Sequence, residues 1–136
     1  MTDTASPKDV TKGPKGQRSF TWSEPGEWTQ VPSQNFSYNS FLVGAYERGA
    51  TAYMSIVKYE PNARIEPHYH HCDYCSIVVE GWIEVTRKRH DVGSVRVVKA
   101  GTVYGPLVAG PEGCTAIEVF ATGEPGSPAG AKNTYV

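Results

Sequence analysis

Glycine and proline interrupt this chain so often that long helices cannot form in it. The sequence has 14 glycines and 10 prolines among 136 residues, and no segment keeps an apolar period of about 3.6 residues for three turns without one of them. The intervening runs are short and rich in Val, Ile, Tyr, Phe and Thr, which favour strands. The pattern predicts an all-β sandwich or barrel of antiparallel hairpins.

The predicted strands lie between turn signals. They cover residues 19–22, 28–31, 40–46, 51–59, 65–70, 74–79, 82–87, 94–98, 103–108 and 115–121. The predicted turns fall at residues 47–49, 61–62, 80–81 and 111–113, each of which contains Gly, Pro or Asn.

The two ends of the chain differ in composition from its middle. Residues 1–17 and 123–136 are rich in small and polar side chains, and they offer too little apolar surface to offset the entropy of ordering. We therefore expect a flexible N-terminal arm over 1–17, one domain over 18–122 and a flexible tail over 123–136. A chain of 136 residues supports a single hydrophobic core.

Charge and hydropathy exclude several classes of partner. The chain has 13 Lys and Arg against 14 Asp and Glu, so it offers no broad attraction to nucleic acid or to anionic membranes. No run approaches the roughly 18 apolar residues that span a bilayer, and the N-terminus lacks the apolar core of a secretory signal. We expect a cytoplasmic protein with reduced cysteines, in which Cys72 and Cys75 pack in a hairpin and Cys114 lies in the core.

Three of the four histidines lie within four positions, at His68, His70 and His71. In a strand, alternation places the side chains of His68 and His70 on one side, where their imidazoles can share one metal ion, while His71 points away. Imidazole suits Zn, Fe, Cu and Ni. The alternative reading is a pair of hydrogen-bonded histidines that binds no metal.

The spacing around these histidines resembles the first sequence motif of the cupin superfamily, G-x5-H-x-H-x3-E-x6-G. His68, His70 and Gly81 fit this motif, whereas Asn62 stands at the leading glycine and Tyr74 at the glutamate.

The second cupin motif, G-x5-P-x-G-x2-H-x3-N, fits residues 93–108. Gly93 and Gly101 are in place, and the other motif positions hold Lys99, Tyr104 and Val108 instead of proline, histidine and asparagine. Over residues 28–122 the chain is similar to small single-domain cupins, which include dihydroxyacetophenone dioxygenase-like and acetylacetone-cleaving dioxygenase-like proteins.

The resemblance implies a double-stranded β-helix, or jelly roll, with a transition metal at its open mouth. Its ligands would be His68, His70, Tyr74 and Tyr104, because both altered ligand positions hold tyrosine. A bound cation favours the phenolate form of tyrosine, and phenolate oxygens are hard, anionic ligands that suit ferric iron. Iron is therefore the expected metal, with Mn, Zn, Ni and Cu as further members of the family's range.

Two other arrangements of these residues remain open. In one, Tyr74 and Tyr104 fill the mouth of a barrel that has lost its metal. In the other, the metal rests on the two histidines and on Asp73 or water, and the tyrosines act as hydrogen-bond donors or acid–base groups. Glu118 faces opposite to its neighbours in the strand, so it either enters the barrel as a base or ligand or lies exposed outside.

The resemblance favours an iron oxygenase, specifically a dioxygenase, that acts on a small phenolic or β-dicarbonyl compound with Tyr74 and Tyr104 as catalytic residues. One alternative is a lyase, isomerase or cyclase in which a tyrosine is the general base. Another is a metal-free cupin that binds a small molecule. The expected partners are a small-molecule substrate and, by resemblance to the family, a second copy of the chain in a homodimer.

Overall fold

The computed structural model describes residues 8–9, 28–42 and 52–121. Apart from one short 3-10 helix, Pro32–Gln34, the regular elements in this part of the chain are strands. They are β1 (Lys8–Asp9), β2 (Thr29–Val31), β3 (Phe36–Leu42), β4 (Tyr53–Tyr59), β5 (Arg64–Ile65), β6 (Tyr74–Val85), β7 (Lys88–His90), β8 (Val95–Val98) and β9 (Leu107–Phe120). Among these residues there is no helix long and apolar enough to cross a membrane.

The strands form one curled sheet in the order β1-β3-β4-β9-β6-β7, with β2 beside β3, β5 beside β9 and β8 beside β6. All pairs are antiparallel except β1 with β3. The two longest strands, β6 and β9, pair with each other along the middle of the sheet. The prediction of an all-β fold is therefore confirmed, and β6 and β9 carry the inner face on which the site is built.

The strand bounds confirm part of the predicted pattern. Strands were expected at 28–31, 51–59 and 94–98, and β2, β4 and β8 lie there. A turn follows β4 at residues 61–62, as expected, and the Ala63 N–H donates to the Glu60 carbonyl oxygen over 3.0 Å. The strand expected at 19–22 and the turn expected at 47–49 lie outside the described residues. So do the predicted arm and tail, apart from β1.

The predictions of hairpin turns at residues 80–81 and 111–113 were wrong. Residues 80–81 lie inside the single strand β6, and 111–113 lie inside β9. Gly81 is paired with Cys114, whereas Ile83 is paired with Ala109, so the intervening residues of β9 bulge out of the ladder. The glycines permit a close approach of two strands here, because a Cβ on Gly81 would lie 2.1 Å from the Gly113 carbonyl oxygen.

We expect Gly81→Ala to destabilise the fold strongly. Gly81 has φ +71°, and a methyl group there would also overlap the backbone of β9, so the cost should be about 3 kcal/mol or more. Gly101→Ala is the matched control, because Gly101 has φ +79° with nothing within 4 Å of the added Cβ, and its cost should be about 1 to 2 kcal/mol. Urea unfolding of the two variants measures the difference, and equal losses would contradict the close approach.

The predicted strands 65–70 and 103–108 are shorter than expected. Regular pairing in this region covers only Arg64–Ile65 against the start of β9. Beyond it, a single bridge joins His68 to Tyr104, with each N–H donating to the other's carbonyl oxygen over 3.0 Å. Pro67 and Pro106 have no backbone N–H and interrupt the ladder on both sides. The one remaining bridge nevertheless sets the first motif directly beside the second.

Candidate metal and substrate site

His68 lies buried at the bridge between the two motifs, and its imidazole has a defined tautomer. The Nδ1 atom is 2.9 Å from the Glu66 carbonyl oxygen. Because a carbonyl oxygen only accepts hydrogen bonds, Nδ1 must carry the proton, which leaves the lone pair on Nε2. A backbone carbonyl that fixes the outer nitrogen of a histidine is the usual support of a metal ligand.

His70 faces the same side as His68, while His71 is exposed. The two imidazole centroids are 5.3 Å apart and the rings are nearly perpendicular, at 87°. Burial, with a smaller contribution from the positive charge of Arg96, lowers the pKa of His68 to about 4 and that of His70 to about 3. Both imidazoles are therefore neutral at pH 7, which is the form that binds metal ions.

The spacing of the two imidazoles fits one shared ion. A metal–nitrogen bond of about 2.1 Å puts a ring centroid about 3.2 Å from the ion, so two rings at a roughly tetrahedral angle lie about 5.2 Å apart. The observed separation is 5.3 Å. No group of three His, Cys, Asp or Glu side chains in the described ranges could hold a metal, and the two tyrosines at the motif positions are the proposed further ligands.

The two tyrosines at the altered motif positions meet beside the histidines. Tyr74 and Tyr104 are buried, and the Tyr74 hydroxyl donates a hydrogen bond to the Tyr104 hydroxyl. The Tyr104 ring lies 4.7 Å from that of His68, and the Tyr74 ring lies 4.8 Å from that of His70, both measured between centroids. Burial raises the pKa of both tyrosines, so without a bound cation both are neutral phenols.

Phe120 completes this group, and its ring stacks on Tyr74 at 5.0 Å with an angle of 12° between the planes. We call the group the aromatic cluster, which consists of His68, His70, Tyr74, Tyr104 and Phe120. Phe120 also lies 5.2 Å from His70 between centroids. Its place follows from the register, because Phe120 is directly paired with Tyr74 across β9 and β6.

One row of the inner sheet face, next to the aromatic cluster, is polar. In the order of the strands β3, β4, β9, β6 and β8, this polar row consists of Ser40, Ser55, Glu118, Ser76 and Arg96. Glu118 is buried, with only 8% of its surface exposed. The hydroxyl oxygens of Ser40 and Ser55 are 3.1 Å apart. Of the two positions considered for Glu118, the structure therefore shows the inner one.

Arg96 connects the polar row to the aromatic cluster. Its guanidinium carbon lies 4.8 Å from the centre of the Tyr104 ring, and its Nη2 is 3.4 Å from the Tyr74 hydroxyl oxygen. Arg96 and Phe120 are site residues that the motif comparison does not identify, because neither is a motif position. Strand alternation alone would place Arg96 wrongly, because Val95 and Val97 on either side of it would be expected inside and the arginine outside. The structure shows the reverse, with both valines exposed.

Other candidates lie away from this site. Asp73 is exposed and accepts a hydrogen bond from the Ala100 N–H over 2.8 Å, so it ties two loops together. Cys72 and Cys75 are partly buried, and Cys114 is buried in the core as predicted. Burial raises the pKa of the Cys114 thiol to about 12, which makes it inert.

Burial makes Glu118 a source of pH-dependent stability. It raises the pKa of the carboxyl group from 4.5 to about 7, despite the opposing effect of Arg96. The protonated acid is thus favoured in the fold, so its stabilising contribution is complete below about pH 4.5 and is lost as the pH rises through about 7. His68 and His70 act in the opposite direction, because their lowered pKa values reduce stability as the pH falls below 6.5.

We therefore expect Glu118→Gln to gain stability relative to the natural protein as the pH rises from 4.5 to 8. The difference of about 2.5 between the folded and ordinary pKa values corresponds to about 3 kcal/mol. Urea unfolding of both proteins across this range isolates Glu118, since the histidines contribute equally to each. Glu112→Gln, at an exposed position, is the control. If the difference in free energy of unfolding between Glu118→Gln and the natural protein did not change with pH, the burial of an ionisable Glu118 would be contradicted.

Comparison with known proteins finds similarity in structure alone. No family model and no curated protein matches the chain. Among solved structures, KdgF from Halomonas sp. is 24% identical with a TM-score of 0.58, and the match covers 71% of this chain and 88% of that one. An RmlC-like cupin from Shewanella frigidimarina is 18% identical with a TM-score of 0.62, over 80% and 95% of the two chains.

Enzymes are among the proteins that share this architecture. The polyketide cyclase RemF from Streptomyces resistomycificus is 18% identical with a TM-score of 0.56, and the match covers 67% of each chain. Bacillus subtilis oxalate decarboxylase, in a deletion mutant, is 18% identical with a TM-score of 0.60, over 79% of this chain and 30% of that one. At these identities the likeness shows the fold. The predicted double-stranded β-helix is confirmed, and this chain has the jelly-roll fold of the cupins.

Proposed function

We propose that the chain is a metal-dependent cupin enzyme, an iron dioxygenase that acts on a small phenolic or β-dicarbonyl compound. The observation that carries this proposal is the His68–His70 pair. Both imidazoles are neutral, they have the spacing of two ligands on one ion, and the outer nitrogen of His68 is bound to a backbone carbonyl.

His68 and His70 would hold the metal, and Tyr104 would supply a phenolate oxygen whose hydrogen-bond donor is Tyr74. When bound, the ion would supply Lewis acidity toward the adjacent oxygens of the substrate and redox chemistry toward oxygen. The Tyr74 hydroxyl donates to the Tyr104 oxygen, so it would stabilise negative charge on that oxygen. Arg96 lies 3.4 Å from the Tyr74 hydroxyl, and its positive charge would stabilise negative charge on the tyrosine pair as well.

The remaining residues would shape the pocket and limit the access of water. Phe120 and Tyr74 are buried and stacked on each other, so they would form an aromatic wall of the site. Glu118, buried in the polar row, would provide a proton donor near neutral pH because its pKa is about 7. The proposed substrate class comes from the resemblance to cupin dioxygenases, and this aromatic and polar lining is compatible with a flat molecule that has two neighbouring oxygens.

Oxygen dependence tests the reaction class. The protein is reconstituted with ferrous iron and assayed with a panel of catechols, hydroxyacetophenones and β-diketones, with and without oxygen. The proposal predicts turnover that consumes one O₂ per substrate and stops under strict anaerobiosis. Full turnover without oxygen would overturn the dioxygenase.

A second candidate function is a lyase, isomerase or cyclase of the same fold, in which a tyrosine is the general base. The observation that favours it is the hydrogen bond between Tyr74 and Tyr104 beside Arg96, because a phenol next to a cation can exchange a proton with a bound substrate. In this case the anaerobic assay would retain its rate, and exchange of a substrate carbon-bound hydrogen with deuterated water would be visible by NMR.

The remaining expectations from the family resemblance stay predictions. They are a cytoplasmic location, a small-molecule substrate and a homodimer. The outer face of β8 offers apolar surface for a second copy of the chain, since Val95 and Val97 are 58% and 82% exposed.

A further inference from the structure

We propose that Arg96 binds a carboxylate group of the substrate, so that the compound held in this site is a small, planar carboxylic acid. The inference deepens the proposed function and rests on it for the reaction, but the binding of the carboxylate requires neither a metal nor turnover.

Strand β8 directs its charged side chain into the sheet interior and its apolar side chains to the outside, whereas an ordinary surface strand does the reverse. Val95 and Val97 are 58% and 82% exposed, while Arg96 between them is directed into the sheet interior, in register with the buried Ser76. A charge on the inner face and valines on the outer face break the usual pattern at a cost in burial free energy. Violations of this kind mark functional positions.

The interior contacts of Arg96 leave most of its hydrogen-bonding capacity for a ligand. A guanidinium group has five N–H donors. Among the described residues, the Arg96 contacts are one 3.4 Å approach to the Tyr74 hydroxyl and the face of the Tyr104 ring. The side-chain ion pairs in the described ranges, Arg64 with Glu66 and Arg89 with Asp91, lie at the surface and do not include Arg96.

The charges around Arg96 favour an anionic ligand. Glu118 lies in the same polar row and its charge acts on Arg96 over a distance. Ser76 on β6 lies between the two positions in the sheet, and the ion pairs among the described residues do not include Arg96. His68 and His70 are neutral and do not balance the charge of Arg96, and a metal ion bound to them would add positive charge nearby. A carboxylate beside Arg96 would offset this positive charge.

The shape of the site selects the kind of carboxylic acid. The planar fork of a guanidinium group matches the two oxygens of a carboxylate better than a single phenolate or enolate oxygen. Next to Arg96, Tyr74 and Phe120 form a buried parallel stack with an angle of 12° between the rings, so the surroundings of the guanidinium group on this side are aromatic. An aromatic or enolised acid would match these surroundings while its carboxylate binds Arg96.

The test compares benzoate with its neutral isostere benzamide, by isothermal titration calorimetry on the full-length, metal-free protein. We expect benzoate to bind at least about tenfold more tightly than benzamide, because only benzoate forms the charged pair. Arg96→Gln should remove this preference, and Arg96→Lys, which keeps the charge but loses the fork, should retain only part of it. Arg89→Gln, which removes an exposed arginine, is the matched control and should bind benzoate like the natural protein.

Three outcomes would overturn the inference: no benzoate binding at millimolar concentration, equal binding of benzoate and benzamide, or an Arg96→Gln variant that keeps the preference. A purely structural role for Arg96 would lower the unfolding temperature of the variants without changing the preference. If a variant does not fold, the affinities of the natural protein for benzoate and for benzamide still test whether the site prefers a carboxylate. A protein that prefers benzoate but binds no metal would refute the proposed function and leave this inference standing.

Discussion

Replacing His68 by alanine should abolish metal binding and, with it, catalysis. This imidazole is one of two neutral nitrogen ligands, so its loss leaves too few ligands for a stable site. Its outer nitrogen is bound to the Glu66 carbonyl, which holds the ring in place for the metal. We expect less than about a tenth of an equivalent of bound metal. Turnover should fall by at least about 100-fold, since even the loss of an outer-shell partner costs roughly 10- to 100-fold.

His71→Ala is the matched control for this experiment. His71 lies three residues further along the same segment, but it is exposed and its ring packs against Tyr69, 5.2 Å away between centroids. The variant should keep the metal content and the turnover of the natural protein. If His68→Ala retained full turnover while folded, the metal would have no part in the mechanism. Equal losses in both variants would point to a general effect on the loop.

Replacing Tyr104 by phenylalanine should reduce turnover by at least about 100-fold, because it removes a proposed ligand of the metal, and even the loss of an outer-shell partner costs roughly 10- to 100-fold. In the iron-loaded protein it should also remove the visible charge-transfer band that a phenolate on ferric iron produces. Tyr74→Phe should keep that band and the metal, because Tyr74 acts through its hydrogen bond to Tyr104, and should lower turnover by about 10- to 100-fold.

Tyr69→Phe is the control for the two tyrosine variants, because its ring pairs with the exposed His71 rather than with the aromatic cluster. It should change neither the absorbance nor the rate. A Tyr104→Phe variant with an unchanged band and an unchanged rate would assign Tyr104 to packing alone, and the proposal for a phenolate ligand would fail.

Local patterns in the sequence were sufficient to predict the strand-rich fold. That the two motifs meet in one site was implied only by the resemblance to cupins, because the bridge between His68 and Tyr104 joins residues far apart in the chain. Alternation correctly separated His71 from His68 and His70, even though this segment has only one bridge in place of a regular strand. The turn predictions at residues 80–81 and 111–113 failed for a non-local reason. Glycine marks a tight turn and a close strand approach equally well, and only the register of β6 with β9 distinguishes them.

The electrostatic part of the site could not be predicted from motif positions. Arg96 and Glu118 lie on β8 and β9, more than 20 residues apart in the chain, and are brought into one row by their separate pairing with β6. The sequence left two orientations open for Glu118, because the alternation of side chains along one strand does not show which face of the sheet is buried. That face is defined by the sheet as a whole, through the burial of Tyr74 and Phe120 in the neighbouring row.

The most direct test of the metal-dependent site is elemental analysis of the tag-free protein, as purified and after incubation with ferrous iron followed by desalting. The account predicts about one equivalent of transition metal per chain after reconstitution, lost in His68→Ala and retained in His71→Ala. Less than about a tenth of an equivalent in the natural protein, unchanged by reconstitution, would contradict it.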